Sequence, residues 1–265
     1  MGLGEQLEEL YEFYNDKKYV HPDPLEFLYD FNDLKDREIV GLIASLLAYG
    51  RVSQILKSVS KILKVLKDPY DFITNSSKDD IYNSFKGFKH RFTTEEDISD
   101  LLFSVKKTLK SFGSLNNCFL NYFSDLDSDV SIALKGFIRQ LGSVSGIKYG
   151  SLLSKPDGSS AFKRFNLYLR WMVRKDNVDP GGWEKVSASK LIIPLDTHMY
   201  RICCNLNFTK RKQSDIKSAV QITSCFKNFD KNDPVKYDFA LTRLGMNRDD
   251  KKLTVLFNEC FPVEV

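Results

Sequence analysis

The sequence contains few of the residues that build metal centres. It has three histidines and five cysteines among 265 residues. The cysteines are odd in number and share no repeating interval, so they predict neither a disulfide framework nor a four-thiolate cluster. We therefore expect a reducing compartment, the cytoplasm. We expect neither a bound metal ion nor any other cofactor.

Long apolar runs and strand patterns are also missing. The longest apolar run, residues 39–48, is too short to cross a bilayer, and the first ten residues lack the apolar centre of a signal peptide. We expect no membrane association. No segment shows a sustained alternation of apolar and polar residues between hairpin turns. Apolar residues recur at helical spacing instead, which predicts an all-α fold.

Charge is distributed unevenly, although the net charge is only +4. Residues 1–36 carry ten acidic and three basic side chains, whereas residues 142–175 carry seven basic side chains and one acidic one. A basic segment in an otherwise balanced protein is typical of a surface that binds phosphate groups. A solvated lysine-rich surface would give the same count, so both interpretations stay open here.

Helical spacing and chain breakers predict a series of helices. They lie near residues 3–14, 25–29, 39–47, 52–66, 95–109, 115–123, 130–141, 159–173, 197–206, 214–229 and 233–244. Residues 142–158 are rich in glycine and serine and show little periodicity, which predicts a loop.

Two predicted helix starts provide a candidate amine and a candidate carboxylate. Ser159 and Ser160 are good capping residues before a helix that carries Lys163, with Arg170 on the same face of that helix. Asp196 stands 33 positions after Lys163, where the chain can turn helical, and its carboxylate can cap that helix. Capping alone would account for Asp196, and a solvated surface position would account for Lys163.

These two segments resemble the helix-hairpin-helix DNA glycosylases, the superfamily of endonuclease III. The resemblance rests on Lys163-Arg164-Phe165-Asn166, on Ile193-Pro194-Leu195-Asp196 and on Arg201. It is closest to the archaeal 8-oxoguanine glycosylase branch, in which a long insert also separates the lysine from the aspartate. The whole chain is also similar to an uncharacterised bacterial family, a domain of unknown function that carries Lys-Arg-x-Asn-Leu-x-Leu-Arg-Trp-Met-Val-Arg and Pro-Leu-Asp-Thr-His blocks.

The glycosylase resemblance implies a fold and an activity. The fold would be a single all-α domain over residues 1–265 with two lobes, residues 36–141 forming the inner lobe and residues 1–35 with 142–265 the second. The activity would be that of a monomeric DNA glycosylase and AP lyase of base excision repair. Its partner would be duplex DNA that contains an oxidised purine such as 8-oxoguanine.

The resemblance also implies a role for each matching residue. Lys163 would be the nucleophile that captures the sugar as a Schiff base, and Asp196 would stabilise positive charge on the sugar. Asp238 would contact the purine in the base pocket. A further set would bind DNA as wedge or phosphate contacts: Tyr49, Arg51, Ser159, Ser160, Arg164, His198 and Arg201.

The sequence departs from the superfamily pattern in the hairpin before the lysine. A Gly-x-Gly usually precedes that lysine, whereas Pro156-Asp157-Gly158 contains one glycine, five residues ahead of Lys163. This departure keeps two alternatives open. One is a nucleic-acid-binding protein of the same fold without excision activity, and the other is an all-α interaction protein whose lysine and aspartate never meet.

Overall fold

The computed structural model describes residues 2–143 and 149–246, with the backbone alone for residues 245 and 246. Five residues of the predicted loop, 144–148, lie outside the described residues, as does the segment 247–265 with Cys260. Apart from one short hairpin, the regular structure of the described chain is helical, so the all-α prediction is confirmed.

The described α-helices are numbered in chain order. They are α1 (Leu3–Tyr14), α2 (Leu34–Leu46), α3 (Val52–Leu66), α4 (Pro69–Asn75), α5 (Lys78–Ser84), α6 (Glu95–Phe112), α7 (Leu115–Leu120), α8 (Ser131–Ser143), α9 (Lys163–Val173), α10 (Thr197–Asn205), α11 (Ile216–Phe226) and α12 (Asp238–Met246). Short 3-10 helices span Lys17–Tyr19, Pro24–Asp30 and Ala188–Lys190. The hairpin pairs β1 (Lys89–His90) antiparallel with β2 (Thr93–Thr94).

Helix α2 is buried over most of its circumference, as its apolar sequence predicts. Every residue from Glu38 to Leu46 is buried, and the helix packs against α3, α4, α7 and α9. Gly41 allows the closest approach, because an added Cβ would lie 3.2 Å from the Tyr168 ring and 3.3 Å from the sulfur of Met172. The packing of α9 on α2 fixes the helix that begins with Lys163.

The first helix is tied to the last described helix. Helix α1 packs on α12. The Glu8 carboxylate accepts hydrogen bonds from Lys236 Nζ at 2.6 Å and from the Tyr237 hydroxyl at 2.9 Å, just before α12 begins. The N-terminal helix therefore belongs to the same packed unit as the C-terminal half. The division into two lobes stays a prediction.

Local capping signals predict some helix starts correctly and others wrongly. Helix α6 begins where the sequence predicts a helix start, after Thr94, which caps it in a capping box with Asp97. The predicted helix at residues 25–29 is a 3-10 helix instead. Two seven-residue helices, α4 and α5, were not predicted, although Pro69 occupies the first helical position of α4, where proline is favoured, and Ser77 caps α5.

The start of α9 corrects a prediction. Ser159 and Ser160 do not begin the helix, because α9 starts at Lys163 after Phe162, which has a left-handed backbone with φ 50°. The Ser160 hydroxyl oxygen accepts a hydrogen bond from the Phe162 amide at 3.1 Å, and this contact shapes the turn before the helix. Lys163 is thus the first residue of its helix.

None of the helices within residues 2–143 and 149–246 has both the length and the hydropathy needed for a bilayer span.

Candidate active site

The structure brings Lys163 and Asp196 together. The Nζ atom of Lys163 lies 3.4 Å from Oδ2 of Asp196, and the two side chains keep 34% and 35% of their surface exposed. Both residues stand at helix starts, Lys163 as the first residue of α9 and Asp196 as the residue before α10. An amine and a carboxylate therefore meet at a position that solvent can reach.

The two oxygens of Asp196 have different partners. Oδ1 accepts a hydrogen bond from the Met199 amide at 2.8 Å and so caps α10, as the sequence predicts. Oδ2 faces Lys163 instead. Because the cap needs only one oxygen, the second is available for chemistry without opening the helix.

Arg164 packs inward beside the pair. Its Nη1 donates to the Leu46 carbonyl at 2.6 Å, and its Cζ lies 5.2 Å from the centre of the Tyr49 ring. Burial lowers the pKa of the Arg164 guanidinium. A cation over an aromatic face is favourable, so this contact connects the start of α9 to the loop after α2.

Tyr49, a predicted wedge residue, is half-buried and held in place. Its hydroxyl donates to the His90 carbonyl at 2.9 Å and accepts from the Thr93 hydroxyl at 2.8 Å. Arg51, the other predicted wedge residue, is exposed at the N-cap of α3. Both residues lie in the loop between α2 and α3. Arg51 is exposed to a ligand, whereas the Tyr49 hydroxyl is already hydrogen-bonded within the protein.

Asp238, the predicted base-pocket acid, is buried against Arg170. Asp238 is 3% exposed, and its Oδ2 accepts a hydrogen bond from Nη1 of Arg170. Burial raises the pKa of Asp238 to about 6. The positive charge of Arg170 lowers that pKa, and the negative charge of Asp196 raises it further. Asp238 therefore lies beneath the protein surface, where Arg170 is its ion-pair partner.

Two arginines of the basic segment belong to a buried ion-pair network. Arg170 Nη2 lies 3.1 Å from Asp179, and Arg174 pairs with Asp176, Asp179 and Asp233. Both arginine side chains are 4% exposed. Arg170 stands two turns after Lys163 on α9, so it follows Lys163 along the same face, but it is buried. Two of the seven basic side chains of residues 142–175 thus neutralise internal carboxylates and add little to an external basic surface.

The remaining predicted DNA contacts lie around the two helix starts. Ser159 and Ser160 are exposed, and their segment runs beside the start of α11, where the Ile216 amide donates to the Ser159 carbonyl at 3.2 Å. Arg201 is exposed on α10. His198 is half-buried, and its Nε2 has no hydrogen-bond partner among the described residues.

The contacts of three residues close to these positions were not predicted from the sequence. Arg170 pairs with carboxylates that lie 9 and 68 positions away, so no local pattern identifies its partners. Arg91 and Phe92 form the turn of the β1–β2 hairpin beside Tyr49. The strands are too short to produce a visible alternation of apolar and polar residues.

Side-chain clusters suited to a metal ion are absent from the described part of the chain. No group of three or more histidine, cysteine, aspartate or glutamate side chains there could hold one. The buried aspartates around Arg170 and Arg174 contact these arginines instead.

Comparison with known proteins identifies a family. No curated protein and no solved structure gives a significant match to the chain. Residues 23–247 match the family model described as a protein of unknown function, DUF2400. The similarity to an uncharacterised family, expected from the two sequence blocks, is therefore confirmed. Because the match covers most of the sequence, the chain belongs to the DUF2400 family of proteins of unknown function.

Proposed function

We propose that this protein is a DNA glycosylase with AP-lyase activity, built on a two-lobed helix-hairpin-helix fold and acting on an oxidised purine such as 8-oxoguanine. The observation that carries the proposal is the 3.4 Å separation of Lys163 Nζ and Asp196 Oδ2. The two residues come from segments that resemble the glycosylase motif. Their contact supplies the nucleophile and the charge stabiliser at one place.

The chemistry assigns a separate task to each side chain. After losing a proton to solvent, the Lys163 amine attacks C1′ of the flipped nucleotide, and the bond from C1′ to the base breaks. The base leaves with the bonding electrons and takes up a proton from solvent, and Nζ loses its extra proton to solvent. The Asp196 carboxylate stabilises the positive charge that develops on the sugar. The sugar ring then opens to a Schiff base with Nζ. A proton is lost from C2′ to solvent as the bond from C3′ to the 3′ phosphate breaks, which cleaves the strand, and water hydrolyses the Schiff base to return the amine.

The exposure of the pair supports access by a nucleotide. Each side chain is about one-third exposed, whereas the neighbouring carboxylate of Asp238 is buried. A base in a stacked duplex cannot reach Lys163, so the nucleotide has to leave the helix first. Exposed Ser159, Ser160 and Arg201 surround the two helix starts and are suited to the flanking phosphates.

One observation favours a second function, a nucleic-acid-binding protein of this fold without excision activity. The turn before Lys163 differs from the Gly-x-Gly hairpin, since Phe162 takes the left-handed backbone that glycine adopts more readily. Binding could persist on such a turn while the geometry needed for catalysis is lost. The third alternative is an interaction protein whose lysine and aspartate never meet. The 3.4 Å contact between Lys163 and Asp196 does not fit that assumption.

Borohydride trapping tests the proposal. The protein is mixed with one duplex that contains 8-oxoguanine and another that contains an abasic site, and borohydride reduces any Schiff base to a stable covalent complex. We expect a trapped complex with the abasic duplex and, where base recognition also matches, with the 8-oxoguanine duplex. Lys163→Gln should abolish trapping while duplex affinity stays within about threefold, since phosphate contacts supply most of the binding.

A matched control removes the same charge elsewhere. Lys110 is exposed on α6, a helix that carries none of the site residues. Lys110→Gln should therefore trap like the wild type. Salt-dependent binding of duplex DNA by a wild type that traps neither substrate would overturn the excision proposal and favour the binding protein.

A further inference from the structure

The turn between β1 and β2 presents an exposed aromatic side chain. Phe92 is 71% exposed, more than Phe13, the other exposed phenylalanine in the described residues, which is 45% exposed. The turn has only two residues, Arg91 and Phe92, because His90 pairs with Thr93 across it. Arg91 is also exposed. A single exposed apolar side chain is common on proteins, so the inference rests on what surrounds Phe92.

The turn is held from both sides. The Tyr49 hydroxyl contacts the His90 carbonyl and the Thr93 hydroxyl, and the Ser151 hydroxyl donates to the Phe92 carbonyl at 3.3 Å. These hydrogen bonds anchor the backbone on both sides of Phe92. A fixed backbone lowers the conformational entropy lost on binding.

A row of rings and guanidinium groups connects Phe92 to the candidate active site. The Arg91 Cζ lies 5.6 Å from the Phe92 ring centre and 6.0 Å from the Tyr49 ring centre. Arg164 lies over the same Tyr49 ring at 5.2 Å and directly follows Lys163 in the chain. Gly50 makes room for this row, because its φ is +97° and an added Cβ would lie 2.6 Å from the Arg91 Cδ.

We propose that Phe92 stacks on a nucleobase of duplex DNA beside the nucleotide that enters the Lys163–Asp196 site, with Arg91 contacting the adjacent phosphate. This inference rests on the proposed function, because that function places DNA over Lys163. Base stacking on an aromatic ring is favourable and independent of sequence, and exposed aromatic wedges stabilise unstacked duplexes. Tyr49 has its hydroxyl bonded on two sides, so the freely exposed ring of Phe92 takes the role of wedge.

Fluorescence of a single introduced tryptophan tests the stacking. The two natural tryptophans, Trp171 and Trp183, are both 0% exposed, so an introduced indole at position 92 is the accessible one. With a duplex that contains a tetrahydrofuran abasic analogue, Phe92→Trp should show strong quenching of its emission, because stacking on a base quenches indole. Phe13→Trp is the control, since α1 carries none of the predicted site residues, and its emission should not change.

The affinity of Phe92→Ala gives a second measurement. We expect about tenfold weaker binding of the abasic-analogue duplex and a smaller loss for an intact duplex, because stacking is used where a base is missing. An unchanged melting temperature verifies that the exposed turn still folds. Unchanged affinity of Phe92→Ala, or an emission of Phe92→Trp that DNA does not alter, would overturn the proposal.

Trapping by the wild type separates this proposal from the proposed function. If Phe92→Trp is quenched by the abasic-analogue duplex but no Schiff base can be trapped, Phe92 binds DNA and excision is wrong. If the wild type is trapped, but DNA leaves the emission of Phe92→Trp unchanged and Phe92→Ala binds with wild-type affinity, excision stands and the wedge assignment is wrong.

Discussion

Trp183 donates a hydrogen bond from its indole N–H to Oε1 of Glu38 at 2.9 Å, across 145 residues of sequence. The same carboxylate accepts from the Leu115 amide at 2.9 Å and from the Asn116 amide at 3.2 Å, at the start of α7. Glu38 is 1% exposed and Trp183 is fully buried. One buried acid thus joins α2, α7 and the segment between α9 and α10.

Glu38 should make the stability of the protein depend on pH. Burial raises the pKa of Glu38 to about 7 from 4.5, in spite of its three hydrogen-bond donors. The folded state then binds a proton more readily than the unfolded state between these values. Below about pH 4.5, Glu38 therefore adds on the order of 3 kcal/mol to the free energy of unfolding. This contribution is lost as the pH rises through 7.

Urea unfolding between pH 6 and pH 8 measures this effect. Glu38→Gln should reduce the fall in unfolding free energy over that interval, because glutamine does not titrate. Above pH 7 the variant also lacks one acceptor, since glutamine has one oxygen where the ionised carboxylate offers two to three donors. Equal pH slopes for the wild type and the variant would contradict the assignment.

Glu38 also shows where prediction from sequence stops. Asp36-Arg37-Glu38 has the composition of a solvated helix start, and nothing local indicates that Glu38 is buried or that its partners lie 77 to 145 positions away. Helix caps can be predicted from local sequence, because the capping side chain and the amide that it binds are three residues apart. Asp196 was therefore predicted correctly as a helix cap, whereas the prediction that Ser159 and Ser160 begin a helix was wrong.

Removal of Arg170 should be among the most damaging single substitutions in the chain. Its side chain is 4% exposed, and its guanidinium group pairs with Asp179 and Asp238. Arg170→Met leaves Asp238 without its hydrogen-bonded cation, and such a loss costs about 3–5 kcal/mol. Asp238→Asn should cost less, because the amide oxygen still accepts from Arg170. Urea unfolding at pH 7 measures both.

The double variant tests whether the two residues act as a pair. Arg170→Met with Asp238→Asn should be less destabilised than the sum of the single variants, because no charged group is left at position 238 to lose its cation. Strict additivity would mean that Arg170 acts through its packing or through Asp179 alone.

The candidate site was predicted more completely than the core network beneath it. Lys163 and Asp196 could be paired because each stands in a motif with a fixed place relative to a helix start. Phe92 has no such motif, since only the folded hairpin exposes it next to Tyr49. Charge counting was misleading for Arg170 and Arg174, because composition does not distinguish an arginine on the surface from one that neutralises buried aspartates.

Two substitutions at Asp196 should separate its structural task from its chemical one. Oδ1 caps α10 through the Met199 amide, and Oδ2 faces Lys163. Asp196→Asn retains an oxygen for the cap, so its unfolding free energy should stay within about 0.5 kcal/mol of the wild type, whereas Asp196→Ala should lose about 1 kcal/mol. Both variants remove the charge beside Lys163, and both should slow base release by on the order of 100-fold or more. Excision by Asp196→Asn at the wild-type rate, measured in single turnover on the 8-oxoguanine duplex, would leave the carboxylate as a helix cap alone.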